Sequence, residues 1–259
     1  MQASASTVVN EQREAASPSC DRASVETLLW DLDGTLYPIE NGYEDHVRDN
    51  IFKFMHQKLG VPQDQCKATW RPLFAKTNQS LKGLRLGGYK FDTDEYWDFI
   101  RGGREMFLKP DPQVRECLKA LPQRKWVFTN CNEKHARLAL ESLDLLDCFE
   151  GVLGADFMGE NAKPDAAAFH RVLQHTGAEA SSTAMFEDSL RNLRQAKRLG
   201  MTTVLVQSKT MLEETGHTLE SAKGVSDPAV DVTISVPHMS DLKTHVPQLW
   251  PHQTTQDAL

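Results

Sequence analysis

Two carboxylates, Asp31 and Asp33, stand one residue apart at the end of a predicted strand, residues 25–31. In an open parallel sheet, ligands bind beyond the carboxyl ends of the strands, so both side chains are expected to reach one crevice. One such acid can attack a substrate while the other exchanges protons. Gly34 follows and permits the sharp turn that lets both acids point inward. An ordinary Asp-Gly turn is the simpler alternative.

Two further polar groups occupy comparable positions later in the chain. Thr129 and Asn130 end the predicted strand 126–129, where a hydroxyl and backbone N–H groups can hold phosphate oxygens. Lys163 precedes a predicted helix, and its charge would offset that of Asp31 and of a phosphoryl group. Each signal is weak alone, because Thr-Asn is common in turns and most lysines are exposed.

A second acidic pair, Glu187 and Asp188, closes the predicted strand 183–186. Adjacent acids at the end of a buried strand are costly unless they bind a cation or cap a helix. Carboxylate oxygens suit Mg²⁺. We therefore predict a magnesium site in which Asp31 and Asp188 are direct ligands, Asp33 adds its backbone carbonyl, and Glu187 binds directly or through water.

Strand patterns alternate with helical patterns along most of the chain. This alternation predicts an α/β fold, a Rossmann-like, doubly wound parallel sheet. Residues 38–109 interrupt it with helical patterns alone and are predicted to form an inserted helical cap. We expect a disordered tail at 1–22, a core domain at 23–37 and 110–245, and a C-terminal tail at 246–259. The predicted strands are 25–31, 126–129, 183–186, 203–206 and 230–234, and the predicted helices are 45–59, 62–74, 93–101, 133–143, 165–175 and 190–199.

Composition limits the classes of partner. The 259 residues carry a formal net charge of −7, which provides no general attraction to nucleic acid polymers or anionic membranes. A membrane span needs about 20 apolar residues, and no apolar run approaches that length. Five cysteines without a Cys-x-x-Cys pair favour a reducing compartment, with the cytoplasm as the default. Acidic residues near the N-terminus argue only weakly against organelle targeting. No feature of the sequence predicts the oligomeric state.

Taken together, the four motifs resemble the haloacid dehalogenase superfamily. Within it, the chain resembles the pyrimidine 5′-nucleotidase branch and its plant and algal relatives. The branch resemblance rests on Asp-Leu-Asp-Gly-Thr-Leu-Tyr-Pro from Asp31, Lys109-Pro110-Asp111, Phe128-Thr129-Asn130 and Phe186-Glu187-Asp188-Ser189.

The resemblance implies a Mg²⁺-dependent phosphatase that acts through an aspartyl-phosphate intermediate. In the family pattern Asp31 attacks phosphorus, and Asp33 protonates the leaving group and later activates water. Thr129 and Lys163 steady the phosphoryl oxygens. A small-molecule phosphomonoester is the implied substrate, with nucleoside 5′-monophosphates as the first choice.

Three alternatives remain at this point. The first is a phosphatase or phosphomutase that acts on a phosphosugar or on another small phosphometabolite. An inactive binding protein would have lost a nucleophile or a metal ligand, whereas this chain keeps both. A dehalogenase lacks an acid at the position of Asp33, which favours phosphoryl transfer.

The cap departs from its relatives at Thr77-Asn78-Gln79-Ser80, before Gly83-Leu84, where related chains often read Tyr-Gly-Thr-Thr. Cap loops of this family contact the leaving group, so Asn78, Gln79, Ser80 and Lys82 are predicted to select it. A solvated helix face is the alternative. Tyr37 and Tyr43, where the chain enters the cap, are expected to pack, with a place in the pocket lining as the alternative.

Overall fold

A computed structural model describes residues 24–207, 210–212, 218–220, 227–234 and 239–250. The predicted N-terminal tail, 1–22, and residues 251–259 of the predicted C-terminal tail lie outside these ranges. Among the described residues, none of the helices combines the length and the apolar character that crossing a membrane requires.

A six-stranded parallel sheet forms the centre of the molecule, with the strand order β3-β2-β1-β4-β5-β8. This confirms the predicted fold class. Two short strands form a separate antiparallel pair. The strands are β1 (Thr27–Trp30), β2 (Arg124–Phe128), β3 (Gly151–Leu153), β4 (Thr183–Glu187), β5 (Thr202–Val206), the antiparallel pair β6 (Thr210–Leu212) and β7 (Thr218–Glu220), and β8 (Val232–Ile234).

The apolar runs of the sequence become the innermost strands, because a parallel sheet is covered by helices on both faces. All four residues of β1 are buried, and all five of β4. Trp30 on β1 stacks on Phe186 of β4 with ring centroids 3.8 Å apart. Because β1 lies between β2 and β4, the chain leaving Trp30 emerges between two neighbouring strand ends.

The inserted segment is helical throughout its described elements. Its first and last helices pack against each other, and the second packs against the third. Asp92 caps the fourth by accepting a hydrogen bond from the Glu95 backbone N–H. These helices are α1 (Tyr43–Leu59), α2 (Cys66–Thr77), α3 (Ser80–Leu86) and α4 (Thr93–Ile100).

The remaining helices cover the sheet. Asp111 caps the first of them, and Pro112 stands at its first turn, where a missing N–H costs nothing. They are α5 (Pro112–Ala120), α6 (Glu133–Ser142), α7 (Ala155–Met158), α8 (Ala166–Thr176), α9 (Leu190–Arg198) and α10 (Met239–His245); short 3-10 helices lie at Ile39–Asn41, Gln63–Gln65, Arg104–Met106, Leu146–Cys148, Ala180–Ser182 and Pro247–Leu249.

The structure differs from the sequence-based expectations at a few elements. Seven elements were not predicted, since each is short or lacks a long periodic pattern: strands β3, β6 and β7 and helices α3, α5, α7 and α10. Val246 and Leu249, assigned from sequence to a tail beginning at 246, are fully buried in the apolar core. Their burial favours placing the end of the core domain after Leu249.

Candidate active site

Lys163 links two of the predicted site residues across the sheet. Its ammonium donates to Asp31 Oδ1 and to Glu187 Oε2, each at 2.7 Å, and the side chain is 1% exposed. The parallel pairing of β1 with β4 explains why the two carboxylates lie close together, because Asp31 directly follows β1 and Glu187 ends β4. The two carboxylates raise the pKa of Lys163 even though its burial opposes the charge. A charged lysine is therefore held beside the proposed nucleophile.

Asp31, Glu187 and Asp188 form an acidic cluster whose ligand atoms lie within 4.8 Å of one another. Burial, followed by the charge of Glu187, raises the pKa of Asp31 and of Asp188 well above the usual range. Lys163 can offset only one of the three negative charges that the cluster carries when all three carboxyl groups are ionised. The cluster therefore has the donor chemistry and the excess charge that fit a small divalent cation such as Mg²⁺.

Gly34 sits tightly against this cluster. Its φ is +78°, and an added Cβ would overlap Asp188 Oδ2. Any side chain at this position would therefore displace Asp188 as well as strain the backbone.

We predict that Gly34→Ala removes activity and that Gly88→Ala does not. Gly88 has a φ of +85°, and a Cβ added there would meet no atom within 4 Å, so its substitution strains the backbone without a clash. Both variants should lose about 1–2 kcal/mol of unfolding free energy from the left-handed conformation. Denaturant unfolding and phosphate release from an aryl phosphate measure the two effects. Full activity in Gly34→Ala would contradict the placement of Asp188 in the site.

Thr129 and Asn130 follow β2 on the other side of β1. Thr129 is 1% exposed, and its hydroxyl accepts from the Cys131 backbone N–H at 3.1 Å. The Asn130 side chain accepts from the Lys163 backbone N–H at 2.9 Å and donates to the Lys163 carbonyl at 3.0 Å. Asn130 thus fixes the backbone from which the buried ammonium reaches Asp31.

Two of the cap residues predicted to select the leaving group contact this same region. The Asn78 side chain donates to the Lys163 carbonyl at 3.1 Å, and Gln79 Nε2 donates to the Asn130 carbonyl at 2.7 Å. Gln79 is 3% exposed, and its Oε1 is buried without a hydrogen-bond partner. The loop before α3 therefore lies directly over the end of β2.

The other two predicted cap residues make different contacts. The Ser80 hydroxyl accepts from Trp70 Nε1 at 2.9 Å inside the cap. The Lys82 ammonium donates to the Asn161 carbonyl of the core. Both side chains hold the loop in place, whereas Gln79 Oε1 is buried without a hydrogen-bond partner.

The structure adds a contact that sequence reasoning missed. Arg101, at the end of α4, donates from Nη1 to Asp33 Oδ1 at 2.9 Å and from Nη2 to Oδ2 at 2.6 Å. The Tyr37 hydroxyl donates to Asp33 Oδ1 at 2.5 Å and lies 3.1 Å from Glu44 Oε1. Tyr37 was expected to pack, and it is buried. Its hydroxyl also forms a hydrogen bond with a predicted catalytic residue, Asp33.

These contacts set the electrostatics around Asp33. Burial alone would raise the pKa of Asp33, but the charge and hydrogen bonds of Arg101, with the hydrogen bond from Tyr37, lower it. Burial and the nearby Asp33 charge raise the pKa of Glu44 to about 7. Without substrate or metal, these contacts favour the carboxylate form of Asp33, the form that accepts a proton.

Comparison with known proteins identifies the family. Residues 25–200 match the family model of the haloacid dehalogenase-like hydrolases, which covers more than half of the chain. The chain belongs to this family. All the residues described above from Asp31 to Asp188 lie within the matched region.

Several curated relatives of this hydrolase have phosphatase names. Phosphate metabolism protein 8 of Saccharomyces cerevisiae is 26% identical over 194 residues, 68% of this chain but only 60% of the yeast protein. 2-Deoxyglucose-6-phosphate phosphatase 2 of the same yeast is 26% identical over 74% of this chain and 85% of its own length. Phosphoglycolate phosphatase of Neisseria gonorrhoeae is 28% identical, with coverages of 70% and 79%.

Solved structures with the same fold include more than one chemistry. A HAD phosphatase from Thermococcus onnurineus superposes with a TM-score of 0.59 at 20% identity, covering 85% of this chain and 97% of its own. The L-2-haloacid dehalogenase PA0810 superposes with a TM-score of 0.52 at 18% identity, covering 85% and 98%. These likenesses show the fold alone, so the choice between chemistries depends on the site residues.

Proposed function

We propose that this hydrolase cleaves small phosphate monoesters through a phosphorylated Asp31. The observation that supports this most strongly is the buried Lys163, which bridges Asp31 and Glu187 beside an acidic cluster. A carboxylate nucleophile, a fixed cation and a candidate cation site are the parts that phosphoryl transfer needs, because catalysis is mostly positioning and charge stabilisation. The phosphatase names of the curated relatives agree with this assignment.

The proposed reaction has two steps. Asp31 forms a bond to phosphorus as the bond to the leaving group breaks, and Asp33, which enters this step in its protonated form, gives the departing oxygen its proton and becomes a carboxylate. Asp33 then takes a proton from water, which attacks phosphorus and breaks the bond to Asp31, releasing inorganic phosphate. Lys163, Thr129 and the backbone N–H groups near Gly34 and Asn130 hold the phosphoryl oxygens. A bound Mg²⁺, held by Asp31, Asp188, the Asp33 carbonyl and Glu187, would neutralise charge on the phosphoryl group.

For the leaving group we propose a nucleoside, which makes the enzyme a nucleoside 5′-monophosphate phosphatase. The support is the sequence resemblance together with Gln79, whose unpaired Oε1 is an acceptor suited to an N–H or O–H of a base or sugar. A phosphosugar or phosphoglycolate-like substrate is the main competitor, as the names of the relatives indicate. A panel of phosphorylated metabolites, assayed for released phosphate with Mg²⁺, separates them.

We predict that Gln79→Ala lowers kcat/KM for the best substrate of that panel by about 10-fold or more, and far less for an aryl phosphate. A buried acceptor left unpaired by the wrong ligand is what creates such discrimination. Gln65→Ala, at an exposed cap position, is the matched control and should leave both values unchanged. Equal losses on both substrates would mean that Gln79 only anchors the cap.

Phosphate release also discriminates the alternatives of other classes. A phosphomutase would return a rearranged phosphoester instead of inorganic phosphate. A binding protein on this fold would bind a phosphoester without turnover, with or without magnesium.

A further inference from the structure

Arg101, at the end of cap helix α4, forms hydrogen bonds directly with Asp33. Its guanidinium engages both oxygens of Asp33, and its side chain is 9% exposed against 16% for that of Asp33. With the Tyr37 hydroxyl, three hydrogen bonds therefore converge on one carboxyl group. A paired guanidinium fork restrains a carboxylate in both distance and plane, which a single ammonium cannot do.

The other end of Arg101 is anchored in the cap. The Tyr43 hydroxyl donates to the Arg101 carbonyl at 2.9 Å, and the guanidinium carbon lies 6.0 Å from the centroid of the Tyr43 ring. Asn50 of α1 donates to the neighbouring Ile100 carbonyl at 3.3 Å. The side chain is thus fixed from the junction of α1 and α4, which belongs to the insert and not to the sheet.

We propose that Arg101 is a positioning residue through which the cap sets the orientation of Asp33 for proton transfer. This inference rests on the proposed function, because it assigns Arg101 to the step in which Asp33 serves the leaving group. Proton transfer needs the two heavy atoms within hydrogen-bond reach, and a misplacement of about 1 Å can cost 10²-fold in rate.

A positioning role makes the effect depend on the leaving group. An alkoxide leaves poorly unless it is protonated, whereas a nitrophenolate leaves well without a proton. The ratio kcat/KM reports the steps up to formation of the phosphorylated Asp31, before water enters. A misoriented Asp33 should therefore lower kcat/KM for an alkyl phosphate much more than for p-nitrophenyl phosphate.

The experiment compares Arg101→Met, Arg101→Lys and wild type on two substrates. One is the alkyl phosphate that the wild type hydrolyses best, and the other is p-nitrophenyl phosphate, both with Mg²⁺. We expect Arg101→Met to lose about 10²-fold in kcat/KM on the alkyl phosphate and about 10-fold or less on the aryl phosphate. Arg101→Lys should recover part of the selective loss, since it restores the charge without the fork.

The matched control is Asp98→Asn, which breaks another contact between the cap and the core. Asp98 pairs with Lys134 Nζ at 2.5 Å and with His135 Nε2 at 2.8 Å, and it does not touch Asp33. If Arg101 acts only by holding the cap closed, Asp98→Asn should show the same substrate dependence. We expect it to keep the wild-type ratio between the two substrates.

The outcomes separate this inference from the proposed function. Equal losses on both substrates, or the same pattern in Asp98→Asn, would overturn the positioning role while leaving the phosphatase assignment intact. A wild type that hydrolyses neither substrate with Mg²⁺ would overturn the proposed function, and the role of Arg101 with it. Should Arg101→Met fail to fold, the substrate dependence of Arg101→Lys decides, because a purely structural role predicts no selective loss.

Discussion

Asp31→Asn is expected to abolish turnover while the chain still folds. An amide cannot form the acyl phosphate, and loss of a covalent nucleophile commonly costs about 10⁴-fold or more in kcat. The fold should survive, because burial and the charge of Glu187 already disfavour the Asp31 carboxylate, and Lys163 keeps its bond to Glu187. Phosphate release measures the first effect, and the thermal unfolding midpoint measures the second.

The matched control for this substitution is Asp49→Asn, an exposed aspartate on α1. It makes the same change of carboxylate to amide at an exposed position of a cap helix, so its turnover should equal that of the wild type. Residual activity of Asp31→Asn near the wild-type value would refute the nucleophile assignment. An unfolded Asp31→Asn would leave the role of Asp31 to be decided by direct detection of the phosphorylated residue.

Asp188→Asn is expected to remove the response of the protein to Mg²⁺. In the wild type, Mg²⁺ at about 100 times its dissociation constant should stabilise the fold by about 2.7 kcal/mol and raise the unfolding midpoint. Without metal, Asp188→Asn should unfold no earlier than the wild type, because burial and the charges of Glu187 and Asp31 raise the pKa of Asp188 and disfavour its carboxylate. Thermal unfolding with and without Mg²⁺ measures both effects.

Activity provides an independent readout of the same cation. A chelator should stop phosphate release, and Mg²⁺ should restore it, whereas Ca²⁺ should not, since Ca²⁺ takes more oxygen ligands at longer distances. Full activity in excess chelator would contradict the magnesium requirement. A normal Mg²⁺ shift in Asp188→Asn would place the cation elsewhere.

The sheet and the residues at its strand ends could be predicted because one physical rule connects them. Parallel strands that are buried on both faces appear as apolar runs, and their carboxyl ends meet at one edge. Asp31, Lys163 and Glu187 are far apart in sequence, yet the structure brings them within hydrogen-bond distance through this rule. Strand β3 was not predicted, because a strand of three residues at the edge of a sheet is too short to show a recognisable pattern of apolar residues.

The contacts across the cap could not be predicted in the same way. Arg101 reaches Asp33 from 68 positions away, and the meeting depends on how the whole helical insert sits on the sheet. Asn78 adopts a left-handed backbone with a φ of +52°, which aims the loop before α3 at the core. No periodicity in a single sequence encodes either arrangement, since both arise from packing between the helical insert and the sheet.

Direct detection of a phosphorylated Asp31 tests the account most directly. The wild type is mixed with its best substrate and Mg²⁺, quenched in acid within one turnover, and digested for peptide mass analysis. We expect one phosphoryl group on the peptide that contains Asp31, labile to hydroxylamine as an acyl phosphate is, and absent from Asp31→Asn. Turnover without any such adduct, or an adduct on another residue, would contradict the assignment of Asp31 as the nucleophile.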